Sequence, residues 1–192
     1  MDKFKNKYRI PSARLQTWDY GSNGTYFVTI CTHNRQHFFG EIVPKAPQGN
    51  AGMELNAIGK LAEKIWLEIP QHFPFVELGN CVIMSDHTHG ILIINKSFVN
   101  DDAAAVETQL IASLPNDGGF AGNKNPMING NISRIIRWYK GRCSFEMRRI
   151  NSDFAWQARF HDHIIRNADA FERIQTYIEN NPQNWNNDQL KS

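Results

Sequence analysis

Residues 25–32, TYFVTICT, are aromatic and β-branched, and that pattern predicts a strand opened by a turn at 21–24. Residues 33–53 hold Pro44, Pro47 and several glycines without a sustained period, and are expected to be irregular. Over 54–72 the apolar residues Leu55, Ile58, Leu61, Ala62, Ile65, Trp66 and Ile69 recur at helical spacing. Residues 75–84 read as a second strand, with Gly79-Asn80 a candidate bulge. HTHGILII, 87–94, reads as a third. The short link Ser85-Asp86 makes that pair an antiparallel hairpin.

The pattern then lapses. Residues 95–130 are rich in Asn, Asp, Ala and Gly and read as a flexible insert. Ile132, Ile135, Ile136, Tyr139 and Phe145 restore a helical period over 131–149, interrupted at Gly141. FHDHIIR, within 159–166, is a fourth short strand. A last helix over 169–181 is stopped by Pro182. The order β-α-β-β-α-β with a trailing helix predicts a ferredoxin-like α+β fold: an antiparallel sheet, helices on one face and a C-terminal helix. At 192 residues the chain suits one domain, 1–192. RNA-recognition modules share this arrangement, so the fold alone leaves function open.

Composition narrows the field. The longest apolar runs are a handful of residues, far below the roughly 20 of a membrane helix, so no membrane partner is expected. The basic start (Lys3, Lys5, Lys7, Arg9) has no apolar run behind it and does not read as a secretory signal. Three scattered cysteines, Cys31, Cys81 and Cys143, argue against a disulfide framework or a cysteine zinc site, and for a cytoplasmic protein. Net charge is +2 but unevenly placed: residues 1–18 carry five Lys/Arg and one Asp, and 131–166 carry eight Lys/Arg and three acids. Those segments could form a phosphate-binding surface or be ordinary solvated helix faces.

The candidate chemistry starts at His87-Thr88-His89. Residues i and i+2 of a strand share a face, so both imidazoles project together while Thr88 points away. The pair could ligate one divalent cation or be a solvent-facing pair. Gly90, without a side chain, would leave room for a substrate backbone. Tyr177 and Asn181 lie four residues apart on one face of the last helix. Alone, the tyrosine suits a core position and the asparagine a helix end. With the histidines they suggest two neutral imidazoles and an amide oxygen around a cation whose open positions accept phosphate oxygens, with a tyrosine one turn away. Tyr139, mid-helix among apolar neighbours, is the rival nucleophile and reads as core. His161 and His163 form a second His-x-His pair.

Three blocks in order carry a resemblance: WDYGSNGTYFVTICTHNRQHFFGEI, VIMSDHTHGILII and WQARFHDHIIRNADAFERIQTYIENNPQNW. Together, spanning nearly the whole chain, they resemble the single-tyrosine HUH transposases, the IS200-like family and the REP-associated tyrosine transposases. Two features depart from that pattern. Thr88 replaces a bulky apolar residue, and Ser85-Asp86 stands where the family has Pro-Asn. Asp86 could partner a ligating imidazole or be a turn residue.

The resemblance implies His87, His89 and Asn181 as ligands of Mg²⁺ or Mn²⁺, and Tyr177 as the nucleophile. It implies cleavage and rejoining of single-stranded DNA through a 5′-phosphotyrosine. It also implies hairpin DNA as partner, a dimer or a monomer, and His161 and His163 on the fourth strand, structural or near the DNA. Arg134, Arg137 and Lys140 recur at helical spacing. With Arg142, and with Arg9 and Arg14 in the N-terminal arm, they could contact phosphates. The alternatives are a non-catalytic single-stranded nucleic-acid-binding module, with TYFVT supplying stacking aromatics, and a metal hydrolase, for which no acidic ligand stands in the right place downstream of the histidines.

Overall fold

The computed structural model of the chain describes residues 3–4, 7–8, 18–44, 51–98 and 130–185. A small ribbon comes first, β1 (Lys3–Phe4) with β2 (Lys7–Tyr8). Then come β3 (Gly24–Cys31), β4 (Gly40–Pro44) and β5 (Ala51–Leu55). Helix α1 (Ala57–Leu67) and a single further turn, α2 (Ile69–His72), lead into β6 (Val76–Ile83) and β7 (His87–Ile94). The chain continues through α3 (Ile132–Met147), β8 (His161–Ile165) and α4 (Ala168–Asn180).

The main sheet runs β6-β7-β3-β8, every neighbour antiparallel. The predicted ferredoxin-like βαββαβ order is therefore present, with α4 trailing it. Two stretches differ from expectation. Part of the supposedly irregular 33–53 forms the β4–β5 hairpin, Gly40 opposite Leu55 and Ile42 opposite Met53. Its apolar residues are few and only partly buried, so alternation in the sequence is weak there. The expected helix 54–72 starts later and breaks once. Asn56 caps α1 by accepting from Gly59 N at 3.0 Å, and Pro70 stands at the start of α2. Proline has no N–H to continue the ladder of α1, so the chain restarts at Ile69. Of the expected insert, residues 99–129 lie outside the described residues, as do Arg9 and Arg14.

The two faces of the sheet are used differently. Tyr26, Val28 and Ile30 of β3 and Leu92 and Ile94 of β7 enter the main core with Ile58, Ala62, Ile65 and Trp66 of α1 and Ile132, Ile135, Ile136 and Tyr139 of α3. Strand side chains alternate, so Phe27, Ile91 and Ile93 fall on the other face. There they meet Ala170, Phe171, Ile174 and Ile178 of α4. The sheet is thus covered by α1 and α3 on one face and by α4 on the other.

Gly90 corrects one sequence expectation. A Cβ there would stand 2.2 Å from Trp66 Cζ2. The glycine faces the main core, where it lets the Trp66 indole lie on the backbone of β7. It opens no path for a substrate on the histidine face. Tyr139 is wholly buried and donates to Ala62 O at 3.2 Å, the core role its neighbours suggest. Among the described residues no helix is long and apolar enough to cross a membrane.

Candidate functional site

β7 pairs with β3 so that His87 stands opposite Cys31 and His89 opposite Thr29. The i, i+2 spacing puts both imidazoles on the α4 face, 4.4 Å apart between ring centroids. Both are wholly buried, so the solvent-facing reading of the pair does not hold. Each ring is anchored through Nδ1. His87 Nδ1–H donates to Asp86 Oδ1 at 2.7 Å, and His89 Nδ1 lies 2.9 Å from Thr29 Oγ1. Desolvation, reinforced by the charges of His87 and Arg35, holds His89 well below the usual imidazole range. That ring is neutral at pH 7.

α4 delivers the tyrosine. Asn167 caps the helix by accepting from Ala170 N at 2.8 Å. Its apolar stripe then seats against Phe27, Val82, Ile91, Ile93 and Ile165. The suspected bulge at Gly79-Asn80 is real: the register of β6 on β7 shifts between Leu78 and Cys81. It serves a purpose here. Asn80 donates to Glu179 Oε1 at 2.7 Å and accepts from Gln175 Nε2 at 3.4 Å, gripping α4 on both sides of Tyr177. Tyr177 Oη lies 3.3 Å from His89 Nε2. Its ring meets Phe27 edge-on at 6.1 Å, and Phe27 in turn stacks on His89 at 5.1 Å. The side chain is 37% exposed, so a ligand can reach the ring from solvent while the hydroxyl rests on the buried pair.

Asn181 is the C-cap of α4, one turn beyond Tyr177. It is 1% exposed, and its Oδ1 is buried with no hydrogen-bond partner among the described residues. Four residues on, Trp185 stacks on His87 with centroids 5.9 Å apart and planes 12° apart. Tyr177 at His89 and Trp185 at His87 thus stand four residues to either side of Asn181 along the chain. Among the described residues no three His, Cys, Asp or Glu side chains converge as a metal cluster. The third polar group is an amide. An orphaned buried amide oxygen, on the segment whose Tyr177 and Trp185 contact the two buried imidazoles, is of a donor type that fits, with them, a divalent ion keeping open positions.

Asp86 does more than form a turn. It is 3% exposed, and besides holding His87 its Oδ2 pairs with Arg35 Nε at 2.9 Å. Arg35, Thr29, Phe27 and Trp185 all belong to the site and were not singled out from the sequence for it. Only the period-2 rule, applied backward along β3 from its pairing with β7, could have found Thr29 and Phe27.

The expected DNA-contacting residues on α3 lie elsewhere. α3 covers the opposite face of the sheet. Arg134 stands over the Phe73 ring at 6.0 Å, Arg137 is exposed, and Arg142 pairs with Glu146 at 3.2 Å. Lys140 Nζ donates to the carbonyls of Gln157 and Arg159, which ties it to its own chain. His161 and His163 are exposed on β8, opposite Thr29 and Phe27, and share the face of His89.

No protein-family model matches the chain. A Haemophilus influenzae protein, itself uncharacterised, is 34% identical over 181 residues, 93% of this chain and 91% of that protein. Among solved structures, a REP-associated tyrosine transposase bound to a REP hairpin has the same fold. Its TM-score is 0.54 at 17% identity, over 90% of this chain and 73% of that one.

Proposed function

We propose that this chain, which belongs to one family with the Haemophilus influenzae protein and has the fold of the REP-associated tyrosine transposase, is a transposase that cuts and rejoins single-stranded DNA. One observation carries the reading. The Tyr177 hydroxyl rests 3.3 Å from the buried His89, while one turn on stands the buried Asn181 Oδ1, without a hydrogen-bond partner among the described residues.

His87, His89 and Asn181 would hold a divalent ion, Mg²⁺ or Mn²⁺, and such an ion supplies positive charge that polarises a phosphate and eases loss of a phenol proton. The chain's own part is positional. Phe27 and the seat of α4 fix the tyrosine ring. Partial exposure admits a DNA strand to the hydroxyl. Tyr177 Oη attacks phosphorus in line, the phenol proton is lost, and the P–O3′ bond breaks. The departing oxygen takes up a proton as a free 3′-hydroxyl. The strand's 5′ end remains as a phosphotyrosine. Because that ester keeps the phosphodiester energy, an incoming 3′-hydroxyl reseals the strand and restores the phenol without ATP. Hairpin DNA is the expected ligand, bound in part by Arg134, Arg137 and Arg142 on α3 and by Arg9 and Arg14. The reaction belongs in the cytoplasm, where DNA is available.

The test is to incubate the protein with single-stranded hairpin DNA and Mn²⁺, then denature. A covalent protein–DNA band is expected. Free cut ends without the band would instead indicate a hydrolase, and intact but bound DNA a non-catalytic binding module.

A further inference from the structure

The loop after β3 is strained where it meets the site. Asn34 and Arg35 both adopt left-handed backbone, φ +51° and +55°, a conformation that non-glycine residues rarely take. It is held by the Asp86 turn. Thr32 N and Thr32 Oγ1 both donate to Asp86 O at 2.9 Å, and Thr32 Oγ1 also lies 2.7 Å from Gln36 O. His33 N donates to Ala155 O at 2.8 Å. The outcome of this strain is the position of one guanidinium. Arg35 Nε comes to 2.9 Å from Asp86 Oδ2, on the side of the carboxylate away from His87.

Asp86 is a buried carboxylate, and a buried charge is costly unless it is paired. Arg35 supplies the balancing charge beside Oδ2, while Oδ1 faces His87 Nδ1. An acceptor at Nδ1 settles the tautomer and leaves the lone pair on Nε2, the nitrogen available for ligation. His89 Nδ1 has the neutral Thr29 hydroxyl at 2.9 Å, where His87 Nδ1 has a carboxylate. The two histidines therefore differ as donors.

We infer that Arg35 and Asp86 form a charge-balanced relay that orients His87 as a ligand, which makes Arg35 a positioning residue of the ion site. The inference rests on the proposed reading of that site and deepens it. The relay replaces the Pro-Asn of the resembling family with a carboxylate that needs its own cation.

Mn²⁺ binding to the full chain, followed by the electron paramagnetic resonance of free Mn²⁺, tests it without DNA or catalysis. Arg35→Met should weaken binding about 10- to 100-fold, the usual effect of removing an outer partner of a ligating histidine. Arg35→Met combined with Asp86→Asn removes both charges and leaves an amide acceptor at His87. It should bind within a few-fold of wild type, a non-additivity expected only if the two residues act as one unit. Arg35→Lys keeps the charge and guards against a folding failure. Its affinity should fall between wild type and Arg35→Met while its melting temperature stays near wild type. Wild-type binding with both Arg35 variants unchanged would overturn the relay alone. No Mn²⁺ binding by wild type would overturn the ion site and the relay with it.

Discussion

His89 shows how one residue's surroundings set its chemistry. Burial and nearby positive charge lower its pKa well below the ordinary value of 6.5. The unfolded chain takes up a proton there below about pH 6.5, while the folded chain resists. Stability is thus complete above that pH and falls as the solution is acidified toward the depressed value, by up to about 1.4 kcal/mol per pH unit. Thermal melting of wild type beside His89→Gln, read from pH 8 to 5, should show the variant less sensitive to acid. Tyr177→Phe removes the hydroxyl but keeps the ring against Phe27. The covalent adduct should vanish while hairpin affinity in a gel-shift assay stays within a few-fold; a persisting adduct would move the nucleophile elsewhere. Gly90 belongs to the opposite face. Gly90→Ala forces a methyl into the Trp66 indole, and such overpacking costs about 1–3 kcal/mol. Calorimetry should record a lower melting temperature.

At the scale of elements, the question is what keeps α4 on the sheet. The helix is short, and Ile178 is its one fully buried apolar residue among those described. Its seat is a stripe of partly covered side chains together with the Asn80 grip. The bulge that shifts β6 between Leu78 and Cys81 is what presents Asn80. Asn80→Ala should cost about 0.5–1.5 kcal/mol for each hydrogen bond lost, less where solvent competes. The prediction is a local one: faster amide exchange along α4 and slower adduct formation, with exchange in α1 and α3 unchanged. Uniformly faster exchange would show that the bulge supports the whole sheet instead.

At the scale of the molecule, one chain supplies both halves of the site: Tyr177 reaches His89 within the same chain. Mixing Tyr177→Phe protein with a His87→Ala/His89→Ala protein should therefore leave adduct formation absent. Recovery on mixing would mean that α4 serves a second copy. The basic surface is a separate matter, because α3 lies across the sheet from the histidines. Hairpin binding should weaken steeply between low and moderate salt, as counterion release requires. Arg137→Ala should reduce that slope without altering the adduct yield at saturating DNA.

The sequence by itself determined the order of the core elements, because helix and strand periods are local properties of the chain. It also determined that His87 shares a strand face with His89 and that Tyr177 shares a helix face with Asn181. What it could not show is which sheet face each group joins. That depends on register across β3, a pairing between residues some sixty positions apart in sequence, such as Thr29 and His89. Register put Gly90 under Trp66 and left the histidines beneath α4. The hairpin at 40–55 was hidden for a related reason, since its strands are short and only half-buried. Most of all, tertiary structure decided the role of Asp86. A turn residue and an imidazole's partner look alike in sequence. Only the strained loop that carries Arg35 to the other carboxylate oxygen distinguishes them.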